Sequence, residues 1–492
     1  MKTVDFQGKP FHFIGIGGIG MSALAYILAK RKLPVAGSDV RTSHITERLE
    51  SVGAHIFTQQ EASNLEHFQS RHQKVKQSKS TLVGAGNRQS SVTTAAPFLE
   101  PPETLPQVIC STAIGKTNPE YLAALQQGCS IFHRSDVLAA LIADYRSIAV
   151  AGTHGKTTTS SLLGYTLVQA GIDPTIIIGG EVDTWEGNAR LGESDYLVAE
   201  ADESDGSLTK HAAEIGIVTN IELDHPDHYQ TLEDVAKIFQ IFESKCKLLI
   251  GCVDCPGVRD YLNPKITYSL NPDSGADYIA KNVSYDATGS RAEIWEKEDC
   301  LGEIQLTVPG EHNVSNALAV IATCRHLGLD FAAIASGLAT FGGAKRRFEH
   351  RGEANNITFI DDYAHHPSEI RATLAAARAK LSSDKYSRVV AVFQPHRYSR
   401  AATFLDEFAQ SFKDADLVVV TDIYSAGEKN TYGLVGKDVA KAVANHHQQV
   451  HFHSDLASLR HRLKELLEPG DLTLFLGAGN LNQKIPETIA LY

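Results

Sequence analysis

Short apolar runs alternate with longer mixed stretches along almost the whole 492-residue chain. FHFIGI (11–16), LPVAGSD (33–39) and QVICSTAI (107–114) have the length and glycine or polar boundaries of buried strands. MSALAYILAKRK and NPEYLAALQQG between them read as helices, the second stopped by Gly128. SIFHRSD and a helix running to about Tyr145 end this first block. RSIAVAG (146–152) opens a second, in which TIIIGG, DYLVAEAD and EIGIVTNIELDH supply strands. They alternate with a helix closed by Gly171, the helix TLEDVAKIFQIFESK and an amphipathic helix over 313–328. A third block carries NITFIDDYAHHPSEI, RVVAVFQPHRYS, DLVVVTDIYSAGE, VHFHS and DLTLFLGAGN, each a strand with a loop at its C-terminal end, and helices such as RATLAAARAKL between them. Repeated βα alternation predicts an α/β chain with mainly parallel sheets. Its length, at roughly 150 residues per domain, predicts about three domains, drawn here at 1–145, 146–345 and 346–492.

The segment 69–106 breaks the pattern. It is polar, basic and then proline-rich, and reads as a surface loop with one strand at TLVGAG; Arg71, Lys74, Lys76 and Lys79 form a solvated basic cluster.

Composition narrows the function. Apolar residues are 43% of the chain and charged residues 21%, so it folds into real cores. A net charge of −12 argues against a basic nucleic-acid binder, so any anionic ligand needs locally placed cations or backbone N–H groups. No run is long and apolar enough for a membrane helix, and Asp5 interrupts any leader-like apolar segment. Seven cysteines, an odd number, do not form a disulfide framework. The expectation is a cytoplasmic protein with no membrane or nucleic-acid partner.

The strongest chemical signal is AVAGTHGKTTTSS (149–161), set between a strand and a helix. Such a turn aims backbone N–H groups and a helix N-terminus at a phosphate. Lys156 is placed to reach the β/γ-phosphates of a nucleotide and the Thr157 hydroxyl to bind Mg²⁺. The motif is the shorter GTHGKT, because Val150 stands where the longer phosphate-loop pattern has its first glycine. Magnesium also asks for carboxylates. VAEADESDG offers Glu200, Asp202, Glu203 and Asp205, with the first two on one face and the last two on the other if the strand continues. NIELDHPDHY offers Asp224, His225, Asp227 and His228. Ends of parallel strands share one sheet edge, where such folds bind ligands.

A second glycine loop, GIGGIG, fits G-x-G-x-x-G through Gly15, Gly17 and Gly20, and Asp39 follows 19 residues after Gly20. This is the geometry for a pyrophosphate on a helix N-terminus with a carboxylate on the ribose. A nicotinamide dinucleotide or any other nucleotide diphosphate, including a UDP-sugar, satisfies it. Cys252 and Cys255 make a C-x-x-C without a second pair at zinc spacing. His446, His447, His451 and His453 lie in a polar stretch without metal-site spacing.

Taken together and in this order, GIGGIGMSALA with GSD, AGTHGKTTT, EADESDGS, NIELDH, PGEHNVSNALA, RRFE, DDYAHHPSEIRATL and FQPHRYSR resemble the Mur ligases of peptidoglycan synthesis over nearly the whole chain. The resemblance implies three domains: an N-terminal Rossmann-like domain for a UDP-sugar, a central P-loop domain for ATP, and a C-terminal Rossmann-like domain that closes over the nucleotide and brings the amino acid. It implies ATP and Mg²⁺, with UDP-N-acetylmuramate and L-alanine as substrates, acting through an acyl phosphate. Carried over by motif, Gly152, Thr153, His154, Gly155, Lys156, Thr157, Thr158, Asn313, Asn316, Arg347 and Asp361 fall in the ATP site. Thr157, Glu200 and His225 fall at the metal. Gly15, Gly17, Gly18, Gly20, Ser38 and Asp39 fall at the UDP-sugar, and Tyr363, His365, Arg397 and Arg400 at the amino acid. Lys156, His365 and Arg397 carry the catalytic roles, His365 by orienting the amine or taking its proton. His365 has a plainer alternative, as cap of the helix that begins near Pro367. The expected state is a monomer or weak homodimer. Rival readings are a ligase attaching a recycled peptide to the same sugar, a NAD-dependent dehydrogenase using Asp39 on ribose, and a non-catalytic nucleotide-binding regulator.

Overall fold

The computed structural model describes residues 3–68, 105–286, 288–382 and 385–492. The loop reading of 69–104, the strand at TLVGAG and the basic cluster of Arg71, Lys74, Lys76 and Lys79 lie outside them. Two compact units emerge: Met1–Asp144 with Gly187–Leu191, and Tyr145–Glu186 with Gly192–Tyr492.

The first unit holds a five-stranded parallel sheet ordered His55–Phe57, Val35–Ser38, Phe11–Ile14, Gln107–Cys110, Ser130–His133. Phe11–Ile14 is buried throughout, as a strand covered on both faces requires. Its neighbours run out in opposite directions, so a switch point falls at its C-terminal end, directly before the first glycine loop. Gly187–Leu191 joins this unit through helix Ile19–Lys30, where Asn188 donates to the Ile19 carbonyl and lies 3.1 Å from Ser22 Oγ. No local pattern in the sequence marks that excursion.

The second unit carries two sheets. In the first, the order runs Asp299–Leu306, Gly289–Glu296, Tyr278–Asp286, Ile266–Ser269, Leu248–Cys252, Ile215–Val218, Arg146–Ala151, Tyr196–Glu200, Thr175–Val182. The strands from Tyr278 to Leu306 form an antiparallel meander that the βα reading missed. From Ser284 onward its first strand packs no continuous apolar run, which hides it from a search for buried strands. The predicted strand EIGIVTNIELDH stops at Val218, and the remainder is loop. Helix Glu311–His326 was expected to be amphipathic, yet Val314 and Ala317–Ala322 are fully buried. It lies on the strands from Leu248 to Asp286 and beside helix Lys156–Gln169, so it has almost no solvent face.

The other sheet is ordered Glu349–Ala354, Ile357–Asp362, Asp471–Leu476, Arg388–Phe393, Leu417–Val420, Val450–Phe452. Its first strand is antiparallel and went unread because none of its six positions is fully buried and none is an aliphatic anchor. Apolar clusters cover both faces of the remaining parallel strands.

Candidate functional site

Strand Arg146–Ala151 ends at the predicted phosphate loop, and helix Lys156–Gln169 follows. Gly152 has φ +142°, and a Cβ there would lie 2.0 Å from Thr219 Oγ1, so no side chain fits. Gly155, the helix N-cap at φ +81°, would put a Cβ 2.8 Å from Asn316 Oδ1. The loop is pinned from the strand end beside it. His154 N–H donates to Asn220 Oδ1 at 2.8 Å, Asn220 Nδ2 returns to the His154 carbonyl at 3.1 Å, and Glu222 N–H donates to Thr153 Oγ1 at 2.9 Å.

Lys156 Nζ donates to the Gly152 carbonyl at 2.7 Å and to Glu203 Oε2 at 2.8 Å. Burial penalises its ammonium, but the carboxylates of Glu203, Asp202 and Glu200 outweigh that and hold its pKa above the usual range. Lys156 therefore stays cationic. The alternation expected for Glu200, Asp202, Glu203 and Asp205 does not arise: the strand stops at Glu200, and the turn beyond it folds Glu203 back onto Lys156.

Thr157 Oγ1 donates to Glu200 Oε1 at 3.0 Å, and Gly179 N–H donates to the other Glu200 oxygen at 2.6 Å. Arg347 Nη2 reaches Thr157 Oγ1 at 3.5 Å. A hydroxyl and a carboxylate brought together on a phosphate loop are the hard oxygen donors that Mg²⁺ prefers. His225 stands apart from that pair in its contacts. Its backbone is left-handed at φ +55°, its Nε2 lies 3.6 Å from Asp224, and burial pulls its pKa down to about 4.

A cavity of about 750 Å³ opens beside the loop. Of the residues expected at the nucleotide, His154, Gly155, Thr158, Asn313, Asn316 and Arg347 line it. Asp361 does not; it is buried and pairs with Arg351 at 3.2 Å and Arg346 at 3.6 Å. Its neighbour Asp362, on the opposite strand face, is the lining carboxylate, accepting from Phe348 N–H, Ala364 N–H and Thr373 Oγ1. Burial raises Asp362 to about 6. Cys252 and Cys255 also line the cavity, engaged with Ser315 Oγ and with Ile221 N–H rather than with each other.

Among the described residues, His154, Glu222 and His366 bring His/Glu donor atoms within 4.8 Å of one another. Their chemistry is ionic. Burial pulls His154 down, but Glu369 and Glu222 outweigh it and hold the imidazole at about 10, so it is a cation between two carboxylates. His366 Nδ1 accepts from Ser368 N–H at 3.3 Å, and burial lowers its pKa to about 4.

The residues expected at the amino acid follow the C-terminal ends of two strands, Ile357–Asp362 and Arg388–Phe393, that both run parallel to Asp471–Leu476. Tyr363 lies under the guanidinium groups of Arg346 and Arg347 at 4.7 and 5.2 Å. His365 meets Tyr363 and His396 edge to face. The helix from Pro367 is capped by His366 and Glu369, so the capping alternative for His365 falls to its neighbour. Arg397 Nη1 contacts Asp227 at 2.6 Å and Glu428 at 3.4 Å, and a third of its side chain is exposed. Arg400 is the more deeply buried of the two arginines. It is 2% exposed and holds Asp224 through Nε at 2.9 Å and Nη2 at 3.1 Å, so its fork is already filled by a carboxylate.

In the first unit, Gly15 is left-handed at φ +78°, Gly18 caps helix Ile19–Lys30, and Gly17 N–H donates to Asp39 Oδ2 at 2.9 Å. A Cβ on Gly20 would lie 3.3 Å from Arg134 Nη1, which puts a cation beside the loop that the sequence did not mark. Ser38 was expected at the ligand. Its hydroxyl instead donates inward to Glu120 Oε2 at 2.5 Å, and its carbonyl holds Gly15 and Ile16, so it supports the loop. Residues missed by the motif reading, Asn220, Glu222 and Glu369, sit inside quoted motifs. Only the His-Pro-x-Glu capping signature gave a local signal for Glu369.

These features define a phosphate-loop enzyme core joined to two further α/β sheets. Three family models match it: the Mur ligase family catalytic domain over residues 10–146, the Mur ligase middle domain over 150–324, and the Mur ligase glutamate ligase domain over 346–479. The chain belongs to the Mur ligase family. It is 66% identical over 498 aligned residues to the UDP-N-acetylmuramate–L-alanine ligase of Crocosphaera subtropica, covering 100% of this chain and 96% of that one. The ligase of the same name from Gloeothece citriformis is 64% identical, with 100% and 99% covered. The crystal structure of UDP-N-acetylmuramate-alanine ligase from Thermotoga maritima superposes with a TM-score of 0.77 at 28% identity, over 98% of this chain and 99% of that one. A murein peptide ligase from Psychrobacter arcticus, at 23% identity and a TM-score of 0.67, shares the fold. Among the described residues, no helix is long and apolar enough to cross a membrane.

Proposed function

We infer that this chain joins the amino group of L-alanine to the carboxylate of UDP-N-acetylmuramate at the expense of ATP, a step in building peptidoglycan precursors. One observation carries the reading at the site: Lys156, Thr157, Glu200 and Arg347 converge on one phosphate loop, and Arg347 comes from the segment that also brings Tyr363 and His365. A phosphoryl donor and an amino-acid site are thereby held in one unit.

Amide formation from a free carboxylate is uphill, so the acid is first phosphorylated. The sugar-borne carboxylate attacks the γ-phosphorus, giving an acyl phosphate and ADP; the amine then attacks the acyl carbon and phosphate leaves. Phosphoryl transfer of this kind depends on positioning and charge. Lys156 and Arg347 supply fixed positive charge, and Thr157 and Glu200 hold Mg²⁺, which neutralises phosphate charge when bound. Asn313 and Asn316 face the nucleotide cavity. Arg397, a third of whose side chain is exposed, recognises the amino-acid carboxylate. Gly15, Gly17, Gly18 and Gly20 with Arg134 receive the UDP diphosphate, with Asp39 at the ribose. Domain limits near residues 145 and 345, a cytoplasmic setting and a monomer or weak homodimer complete the reading.

The test is phosphate release from ATP with UDP-N-acetylmuramate against a panel of L-alanine, L-serine, glycine and a tripeptide. ADP formation and a new amide with L-alanine are expected. A preference for the tripeptide, or binding of a nicotinamide dinucleotide without ATP turnover, overturns the reading.

A further inference from the structure

L-Alanine arrives as an ammonium, and an ammonium has no lone pair. Something beside the acyl carbon must take its proton. His365 is the residue already expected to take it; the structure assigns its positioning to Glu369, which leaves the lone pair on Nε2, and this rests on the ligase reading above. The argument is one of tautomers. His365 Nδ1 lies 2.9 Å from the Tyr363 carbonyl oxygen and 3.2 Å from Glu369 Oε2. Both partners only accept, so Nδ1 carries the hydrogen and Nε2 of the neutral ring carries the lone pair. The same Glu369 oxygen accepts from the His365 and His366 backbone N–H groups at 3.0 and 3.2 Å, which fixes the carboxylate against the ring it orients. A carboxylate behind Nδ1–H also stabilises the imidazolium formed once Nε2 is protonated.

The neighbouring ring cannot do this work. Arg400 Nη1 lies 3.1 Å from His396 Nδ1, and a guanidinium only donates, so His396 accepts there and carries its hydrogen on Nε2. His396 thus has no free lone pair, while His365, edge to face with it, has one.

The proton count closes. Of the three hydrogens on the alanine ammonium, one passes to His365 Nε2, the nitrogen lone pair forms the C–N bond, and the C–O bond to phosphate breaks. A second hydrogen leaves with the phosphate as hydrogen phosphate, and the third stays on the amide. His365 then returns its proton to solvent.

Glu369→Gln separates orientation from folding, because glutamine also serves at this position of a capping box. Two nucleophiles are compared on the same enzyme, with ATP and UDP-N-acetylmuramate: L-alanine, which must be deprotonated, and hydroxylamine, which is unprotonated at neutral pH. Hydroxamate from hydroxylamine reports acyl phosphate formation alone. In Glu369→Gln and in His365→Asn, the ratio of alanine product to hydroxamate falls about 100-fold, the scale of general-base catalysis. Glu369→Asp restores part of it. An unchanged ratio in His365→Asn, or in Glu369→Gln with hydroxamate still formed, overturns the assignment. No hydroxamate from the unaltered enzyme would instead tell against the ligase reading itself.

Discussion

Replacing Arg400 by methionine separates a structural ion pair from a substrate clamp. Arg400 and Asp224 are 2% and 5% exposed, and both carboxylate oxygens face guanidinium nitrogens at 2.9 and 3.1 Å. Burial alone would push Asp224 up, but Arg400, with His225, holds it well below the usual carboxylate range. Methionine fills the volume and leaves Asp224 charged and unpaired. Removing one partner of a buried pair costs about 3–5 kcal/mol, most of it the uncompensated charge. Urea unfolding of the Arg400→Met chain should show that loss as a lower midpoint. Asp224→Asn combined with Arg400→Met should recover more than about 1 kcal/mol of it, because contacting residues are not additive. Steady-state assays on the same proteins supply the contrast. If Arg400→Met leaves the midpoint unchanged and raises only the KM for L-alanine, Arg400 is the clamp and the structural account of this pair is wrong.

Lys156→Ala should lower kcat/KM by about 3 kcal/mol, the scale of one preorganised donor lost from a transition state, and near-normal ATP-dependent turnover would contradict its placement. Gly152→Ala should abolish ATP binding, measured by calorimetry, since a methyl at φ +142° would sit 2.0 Å from Thr219 Oγ1; wild-type affinity would show that the loop relaxes freely. His154 has a folded pKa raised to about 10 from 6.5, so its stabilisation is complete below about pH 6.5 and is lost as the pH rises through about 10. The stability difference between the parent and His154→Gln should therefore shrink between those limits, and a difference independent of pH would remove the imidazolium from the account. Leu318→Ala, in a fully buried helix, should cost about 2–5 kcal/mol in urea unfolding without shifting the KM for ATP.

The parallel cores were readable because a strand covered on both faces must be continuously apolar, and Phe11–Ile14, Arg146–Ala151 and Arg388–Phe393 are nearly so. Strands with one wet face, such as Tyr278–Asp286 and Glu349–Ala354, carry no such run and were missed. Both glycine loops were readable because a close backbone turn restricts residue type locally, as at Gly152. The partners of charged side chains were not, because pairing depends on which distant strand ends share an edge. Sequence placed Lys156, His365 and Arg400 near ligands. The tertiary structure gave Lys156 its Glu203, turned Ser38 inward to Glu120, and put Asp362 rather than Asp361 on the cavity.

The chain by itself therefore settled the α/β class, the phosphate loop and the order of the chemical motifs, since these depend on neighbours a few residues apart. Only the folded structure decided that Asp224 occupies Arg400 and that Glu369 fixes the tautomer of His365. A buried charge must find its counter-charge wherever the fold brings one within reach, and sequence distance carries no record of that meeting.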